Sequence, residues 1–231
     1  MKPILFSTPM VEAILEGRKT QTRRLIKSRH ESGLYRVCTR ASTGEVIHIE
    51  SLDWDERNCE KDITPKYKVG DILYVKETWQ YGDAFSNPGG YAYKADTTGS
   101  KISIEDGIKW KPSLFMPKNV ARIFLEVTGI RVERLTAICN EDAIAEGIDS
   151  DEWTWGPIGY PDGTIDYSVE GKKTVWYRDY SKTKEKTMSN ITPVKSYKTL
   201  WELIHGVGSW DSDPFVWIYE FKKIEKPSIE L

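Results

Sequence analysis

The chain has 231 residues, 39% of them hydrophobic and 29% charged, with a formal net charge of −2. That length suffices for one large or two small domains around a sizeable core. The near-neutral balance argues against a globally basic nucleic-acid coat protein while leaving room for a local basic site.

The opening reads as a short amphipathic helix. Thr8 is its expected N-cap, Pro9 its first helical residue, Val11, Ile14 and Leu15 its apolar side, and Gly17 its terminating glycine. A hairpin-like stretch follows, with runs at Leu34 to Cys38 and Val46 to Ile49 around Ser42-Thr43-Gly44. Residues 53–66 are charged and irregular, and 28–66 as a whole read as a decoration inserted into the core fold. The core resumes at Val69, where Gly70-Asp71 turns into a β-run ending at Trp79. Short strands are expected at Gly90 to Lys94 and Arg122 to Thr128, separated by a Pro-, Met- and Lys-rich loop from Trp110 to Lys118. Gly129 interrupts the second of these, and Ile130 to Leu135 extend the β-pattern.

Asn140 reads as the N-cap of a helix from Glu141 to Glu146 that stops at Gly147, with Glu141 and Asp142 suited to the positive end of its dipole. Residues 148–195 form a second expected insertion, aromatic and then lysine-rich at Lys182, Lys184 and Lys186. Ser196 is the expected cap of a last helix with Leu200, Trp201, Leu203 and Ile204 on its apolar face and Gly206 as its stop. Phe215 to Phe221 closes the chain as a strand. Many short strands and few helices predict a mainly β, α+β fold, a compact barrel with flanking helices.

Cys38, Cys59 and Cys139 are odd in number, widely spaced and free of any CxxC pair, so neither a disulfide framework nor a zinc site is expected. His30, His48 and His205 lack metal-ligand spacing; no metal and no cofactor are expected. The first residues hold no apolar run long enough for a signal peptide or membrane span, so a cytoplasmic location with no membrane partner is expected. Nine Trp and twelve Tyr suit either core packing or surfaces on which a base stacks.

The densest chemistry lies at the first helix exit. Gly17-Arg18-Lys19-Thr20-Gln21-Thr22-Arg23-Arg24 packs four cations, two hydroxyls and an amide into eight residues. Gly17-x-Lys19, with Arg24 five residues further, resembles the Gly-x-Lys-x-x-Glu-x-Arg signature of the ASCH domain, a family with a β-barrel related to the PUA RNA-binding fold. Thr22 stands where that signature has Glu. The substitution makes the stretch similar to the branch of small bacterial N4-acetylcytidine amidohydrolases, which read Gly-Arg-Lys-Thr-x-Thr-x-Arg. The run Gly70 to Trp79, the pair Met116-Pro117 and the closing stretch His205 to Trp217 resemble the longer ASCH proteins of phages and prophages. The resemblance implies one ASCH domain over residues 1–231, in the host cytoplasm if phage-encoded.

In that branch the Lys, the second Thr and a later Glu form the catalytic set, which carries over to Lys19, Thr22 and Glu146. A threonine hydroxyl attacks an amide only if a base takes its proton, and a desolvated lysine beside other cations can be that base. Lys19 is therefore the expected base, Thr22 the nucleophile and Glu146 the residue that orients Lys19 or passes the proton to the leaving nitrogen. A route in which Lys19 activates water and Thr22 only binds stays open. Because Lys19 and Thr22 are three apart, a regular strand would turn them to opposite faces; the reading requires Lys19 to precede the strand.

Arg18, Gln21, Arg24, Glu77, Trp79, Tyr93 and Arg122 complete the expected binding set. Arg24 suits a phosphate or carboxylate, Arg122 a phosphate or backbone contact, Gln21 a base edge, and Trp79 and Tyr93 a pyrimidine face. Glu77 faces either the pocket or a salt bridge at the barrel rim. The expected function is metal-free hydrolysis of an N4-acylated cytosine nucleoside. A PUA-like module that binds RNA or a modified base without turnover, and a metal-independent ribonuclease, are the alternatives.

Overall fold

A computed structural model describes residues 1–26, 35–39, 46–51, 63–81, 90–96, 109–154, 158–159, 165–166, 173–181, 187–189 and 191–227. The expected turn at Ser42 to Gly44 and the lysines 182, 184 and 186 lie outside them, as does most of 53–66. The chain divides into two compact units, Met1–Ala137 with Pro214–Leu231, and Ile138–Asp213.

The first unit runs β1 (Lys2–Leu5), α1 (Thr8–Leu15), β2 (Gln21–Leu25), β3 (Tyr35–Thr39), β4 (Val46–Ser51), β5 (Ile72–Lys76), β6 (Trp79–Tyr81), β7 (Tyr91–Tyr93) and β8 (Phe124–Arg134). The second holds α2 (Asn140–Ala145), β9 (Ser150–Thr154), β10 (Ile158–Gly159), β11 (Ile165–Asp166), β12 (Lys173–Arg178), β13 (Met188–Ser189) and α3 (Pro193–His205). The final strand, β14 (Phe215–Ile224), returns to the first unit. The fold is mainly β with few short helices, the α+β class expected.

A five-stranded sheet, ordered β1-β5-β8-β14-β2, organises the first unit. β1 and β5 are parallel, with Lys2 opposite Leu73 and Leu5 opposite Lys76; the other pairs are antiparallel. The β8–β14 ladder spans the full length of both strands; a bulge at Glu220/Phe221 leaves Thr128 unpaired beside Gly129, so the expected interruption is a register shift inside one strand. β3 pairs with β4 and β6 with β7 as separate two-stranded ribbons.

The expected closed barrel is not formed by the described residues: β1 and β2 are the two edges of an open sheet. The outer side of β1 explains why. Pro3 has no N–H to offer a further strand. Its carbonyl instead accepts the Tyr67 hydroxyl at 2.7 Å, and the Leu5 carbonyl accepts Arg24 Nη2 at 2.9 Å. Side chains from the loop before β5 and from β2 satisfy the edge that a backbone ladder would otherwise occupy.

α1 begins one residue earlier than expected. Ser7 is the N-cap, in extended conformation and without a side-chain cap bond, so Thr8 is the first helical residue. Val11, Ala13 and Ile14 are buried, whereas Leu15 is exposed. The chain leaves through Gly17 at φ +79, a left-handed conformation that a Cβ disfavours. The core on this side of the sheet joins Phe6, Val11, Ile14, Tyr67, Leu73, Leu125, Trp217, Tyr219 and Phe221. A second cluster gathers Trp79, Tyr93, Met116, Val120, Ala121 and Phe124.

In the second unit β9, β12 and β13 form a three-stranded antiparallel sheet, and β10 pairs with β11. Both helix starts differ from expectation. Cys139 caps α2, its Sγ accepting the Asp142 N–H at 3.4 Å, and Asn140 is already helical. Thr192 caps α3 through the Lys195 N–H, with Pro193 at the first position, a start that proline's fixed φ favours. Ser196 lies inside α3 and is fully buried, its hydroxyl donating to the Arg178 carbonyl at 2.7 Å. The buried side of α3 is accordingly Pro193, Tyr197 and Trp201, four apart, and Leu203 and Ile204 are exposed.

Candidate functional site

β2 presents Gln21 and Arg23 to one face of the sheet and Thr22 and Arg24 to the other, because successive strand residues alternate. Thr22 lies opposite Tyr219 and Arg24 opposite Trp217, so both share the core face of β14. Lys19 precedes the strand. The turn at Gly17 releases it from that alternation, and its backbone N–H bonds the Ala13 carbonyl at 3.0 Å, folding it back against α1.

The consequence is a convergence on Phe6. Lys19 Nζ lies 5.6 Å from the centre of the Phe6 ring, and the Arg24 guanidinium lies 5.4 Å from the same centre. Both are cation–π distances. Lys19 is 2% exposed and Thr22 3%, whereas Arg24 reaches the surface. Two tyrosines complete this side. Tyr67 packs edge-on against Tyr219 at 5.0 Å between ring centres, and the Tyr219 oxygen accepts the Lys66 N–H at 3.0 Å. Burial pushes the Tyr67 hydroxyl up to about 12, against the opposing pull of Arg24. Burial also raises Tyr219, opposed by the N–H groups of Lys66 and Tyr67 and by Arg24. Arg24 therefore faces both phenols.

The other basic and polar residues of the motif go elsewhere. Arg18 is ion-paired with Glu16 at 2.6 Å. Arg23 is wholly buried and meets Glu133 at 3.7 Å. Gln21 is on the Arg23 face, where its Oε1 accepts Arg131 Nη2 at 3.4 Å. Arg131 also bonds Glu133 and pairs with Glu220. This face carries a charged network across β2, β14 and β8, so Gln21 does not stand beside Thr22.

Glu77, Trp79, Tyr93 and Arg122 form a second group, adjoining the first along β1 and β5. The Phe6 N–H donates to the Lys76 carbonyl at 3.3 Å, and Glu77 is the next residue. Glu77 is 1% exposed and is held by a bidentate fork from Arg122, Nε to Oε1 and Nη2 to Oε2, both 2.9 Å. Arg122 Nη1 binds both oxygens of Asp96, and the guanidinium plane sits 4.0 Å from the centre of the Tyr93 ring. Burial pushes the Glu77 carboxyl above the ordinary carboxylate range despite Arg122's pull. Burial weakens the Arg122 charge, but the bonds from Glu77 outweigh it and hold the guanidinium more firmly protonated. Arg122 is thereby committed to two carboxylates. Trp79 and Tyr93 are buried in the second core cluster, where the Met116 sulfur also accepts the Glu77 N–H at 3.2 Å. Core packing, the first of the two alternatives for these aromatics, accounts for them.

Glu146 belongs to the second unit. It is the C-cap of α2, its N–H bonding the Asp142 carbonyl at 3.0 Å, and it is 3% exposed before Gly147 turns the chain at φ +82. The sequence reading missed Phe6, Tyr67 and Tyr219. Tyr67 directly follows the segment read as decoration, and Phe6 follows a strand too short to show alternation. Tyr219 was legible only as part of a strand, since its neighbour Thr22 is distant in sequence. Among the described residues no three His, Cys, Asp or Glu side chains gather in a way that could hold a metal ion. Compared with protein-family models, curated proteins and solved structures, the chain matches none.

Proposed function

We propose that the protein is a hydrolase acting on an N4-acylated cytosine nucleoside, with Lys19 and Thr22 at its reacting centre. The observation that carries this is the convergence on Phe6. A turn at Gly17 brings a buried lysine to the ring that Arg24 also covers, on the face where Thr22 stands. The resemblance of the Gly17 to Arg24 motif to the acetylcytidine branch of the ASCH family supplies the reaction.

In the proposed step Thr22 Oγ1 attacks the acyl carbon while its proton passes to Lys19 Nζ. The carbon–nitrogen bond then breaks, and the exocyclic nitrogen of cytosine takes that proton. Water cleaves the resulting threonine ester, its proton passing by way of Lys19 to the departing Thr22 oxygen, and a free carboxylic acid leaves. The step needs Lys19 as the free amine. Burial of Lys19, Thr22 and Arg23 supports chemistry on a small enclosed group better than a track for polymeric phosphates, which needs its cations at the surface.

The test is incubation of purified protein with N4-acetylcytidine in EDTA, followed by chromatography for cytidine. Thr22→Ala and Lys19→Met are each expected to lower kcat/KM by on the order of a thousandfold, about 4 kcal/mol. Glu146→Gln tests the third role that the resemblance implies. Folded wild type that leaves the substrate intact would overturn the proposal.

A further inference from the structure

Arg24 shares the face of Thr22, and Lys66 meets Tyr219 on it. Arg24 spends one hydrogen bond on the Leu5 carbonyl and lays its plane near Phe6. Lys66 places its ammonium 5.3 Å from the centre of the Tyr67 ring. Both side chains are exposed, and among the described residues neither has a carboxylate within ion-pair distance. Arg24 differs in this from Arg18, Arg23, Arg122, Arg131 and Arg178, all of which have acidic partners.

Tyr219, 1% exposed, meets the Lys66 N–H and stands two residues from Trp217, the cross-strand partner of Arg24. The Tyr219 oxygen accepts the Lys66 N–H at 3.0 Å. Its own hydrogen has no acceptor among the described residues. The Tyr67 hydrogen, by contrast, is taken by the Pro3 carbonyl. A buried O–H donor without an acceptor, beside a guanidinium and an ammonium without counter-charges, lacks one thing: an anion with several oxygens.

We propose that Arg24, Lys66 and the Tyr219 hydroxyl bind a phosphate monoester, so that the substrate is a 5′-nucleotide in place of a free nucleoside. The inference rests on the hydrolase reading for its reaction but not for its receptor. Two cations and a hydroxyl match a dianionic phosphate better than a single carboxylate. The spacing also fits. Thr22 and Arg24 are two strand residues, roughly 7 Å, apart, and the long arginine side chain extends that reach. The anion is thereby held about a nucleoside's length from the hydroxyl, where a 5′-phosphate lies when the acylated base meets Thr22.

Two measurements separate the receptor from the reaction. The first compares kcat/KM for N4-acetylcytidine 5′-monophosphate and N4-acetylcytidine in wild type, Arg24→Gln and Lys66→Gln. The monophosphate is expected to be preferred at least tenfold by wild type, and each substitution to shrink that ratio toward one. The second is calorimetric titration with cytidine 5′-monophosphate and with cytidine, which needs no turnover. Preferential binding of the monophosphate that Arg24→Gln and Lys66→Gln both weaken upholds the receptor even where no hydrolysis occurs. Arg24→Lys keeps the charge but not the planar fork, and is expected to restore part of the loss; it also reports whether Arg24→Gln fails merely by releasing the Leu5 edge. Equal binding of nucleotide and nucleoside overturns the receptor and leaves the hydrolase reading standing. Tighter binding of a short RNA than of the mononucleotide overturns the assignment to a monoester.

Discussion

Removing the Arg122 side chain tests the account of the second cluster most severely. Arg122→Met leaves Glu77, 1% exposed, without the fork that holds both its oxygens at 2.9 Å. A carboxylate stranded this way costs about 3–5 kcal/mol. The lower end applies, because the Arg122 side chain is 28% exposed and Glu77 can escape the cost by taking a proton. A loss of about 3 kcal/mol lowers Tm by about 6–12 °C. Urea unfolding followed by tryptophan fluorescence measures it. The pH dependence sharpens the test. Burial raises the folded Glu77 pKa above its unfolded value, and loss of Arg122 raises it further. A raised carboxyl contributes stability that is complete below the unfolded pKa and is lost as pH rises through the folded one. The deficit of Arg122→Met is therefore smaller in mildly acid solution than at neutral pH, and adding Glu77→Gln recovers part of it. A variant within about 1 kcal/mol of wild type, a deficit that grows on acidification, or a double variant that is less stable still would refute the reasoning.

Other expectations follow from single geometries. Burial lifts Tyr67 from 10.0 to about 12, so its contribution is complete below the lower value and disappears as pH rises toward the upper. Tyr67→Phe is expected to flatten the alkaline fall in stability over that range, with phenolate absorbance reporting one fewer late-titrating tyrosine. Gly17→Ala meets no atom within 4 Å, so its cost is conformational, about 1–2 kcal/mol for φ +79, and denaturant unfolding measures it. Because that turn also delivers Lys19, the same variant is expected to lower any turnover of N4-acetylcytidine by more than its stability loss accounts for. In the second unit Ser196→Ala strands the Arg178 carbonyl and is expected to cost about 1–2 kcal/mol in chemical unfolding.

Much of the chain could be read locally. Pro9, the spacing of Val11 and Ile14 and the terminating Gly17 specify α1 to within one residue. Gly70-Asp71 before an alternating run specifies β5, and the alternation from Phe215 specifies β14. These signals succeed because capping, φ > 0 and period-two burial are properties of neighbouring residues. The errors at α2 and α3 share a cause: Cys139 and Thr192 compete with Asn140 and Ser196 as caps, and only the packing of Ser196 against the Arg178 carbonyl decides the second case.

The motif from Gly17 to Arg24 was visible as chemistry before any fold, and so was the requirement that Lys19 precede the strand. Its companions were not. Phe6 meets Lys19 and Arg24, and Tyr219 meets Thr22 across a ladder, through pairings between residues far apart in sequence. The same holds for Gln21, whose identity suggests a base reader but whose place in β2 turns it to Arg131 on the opposite face. Composition and spacing determined that the chain is mainly β and which residue types are candidates for its site. Register decided which of those residues share a face, because a one-residue step along a strand reverses a side chain and nothing local records its partner.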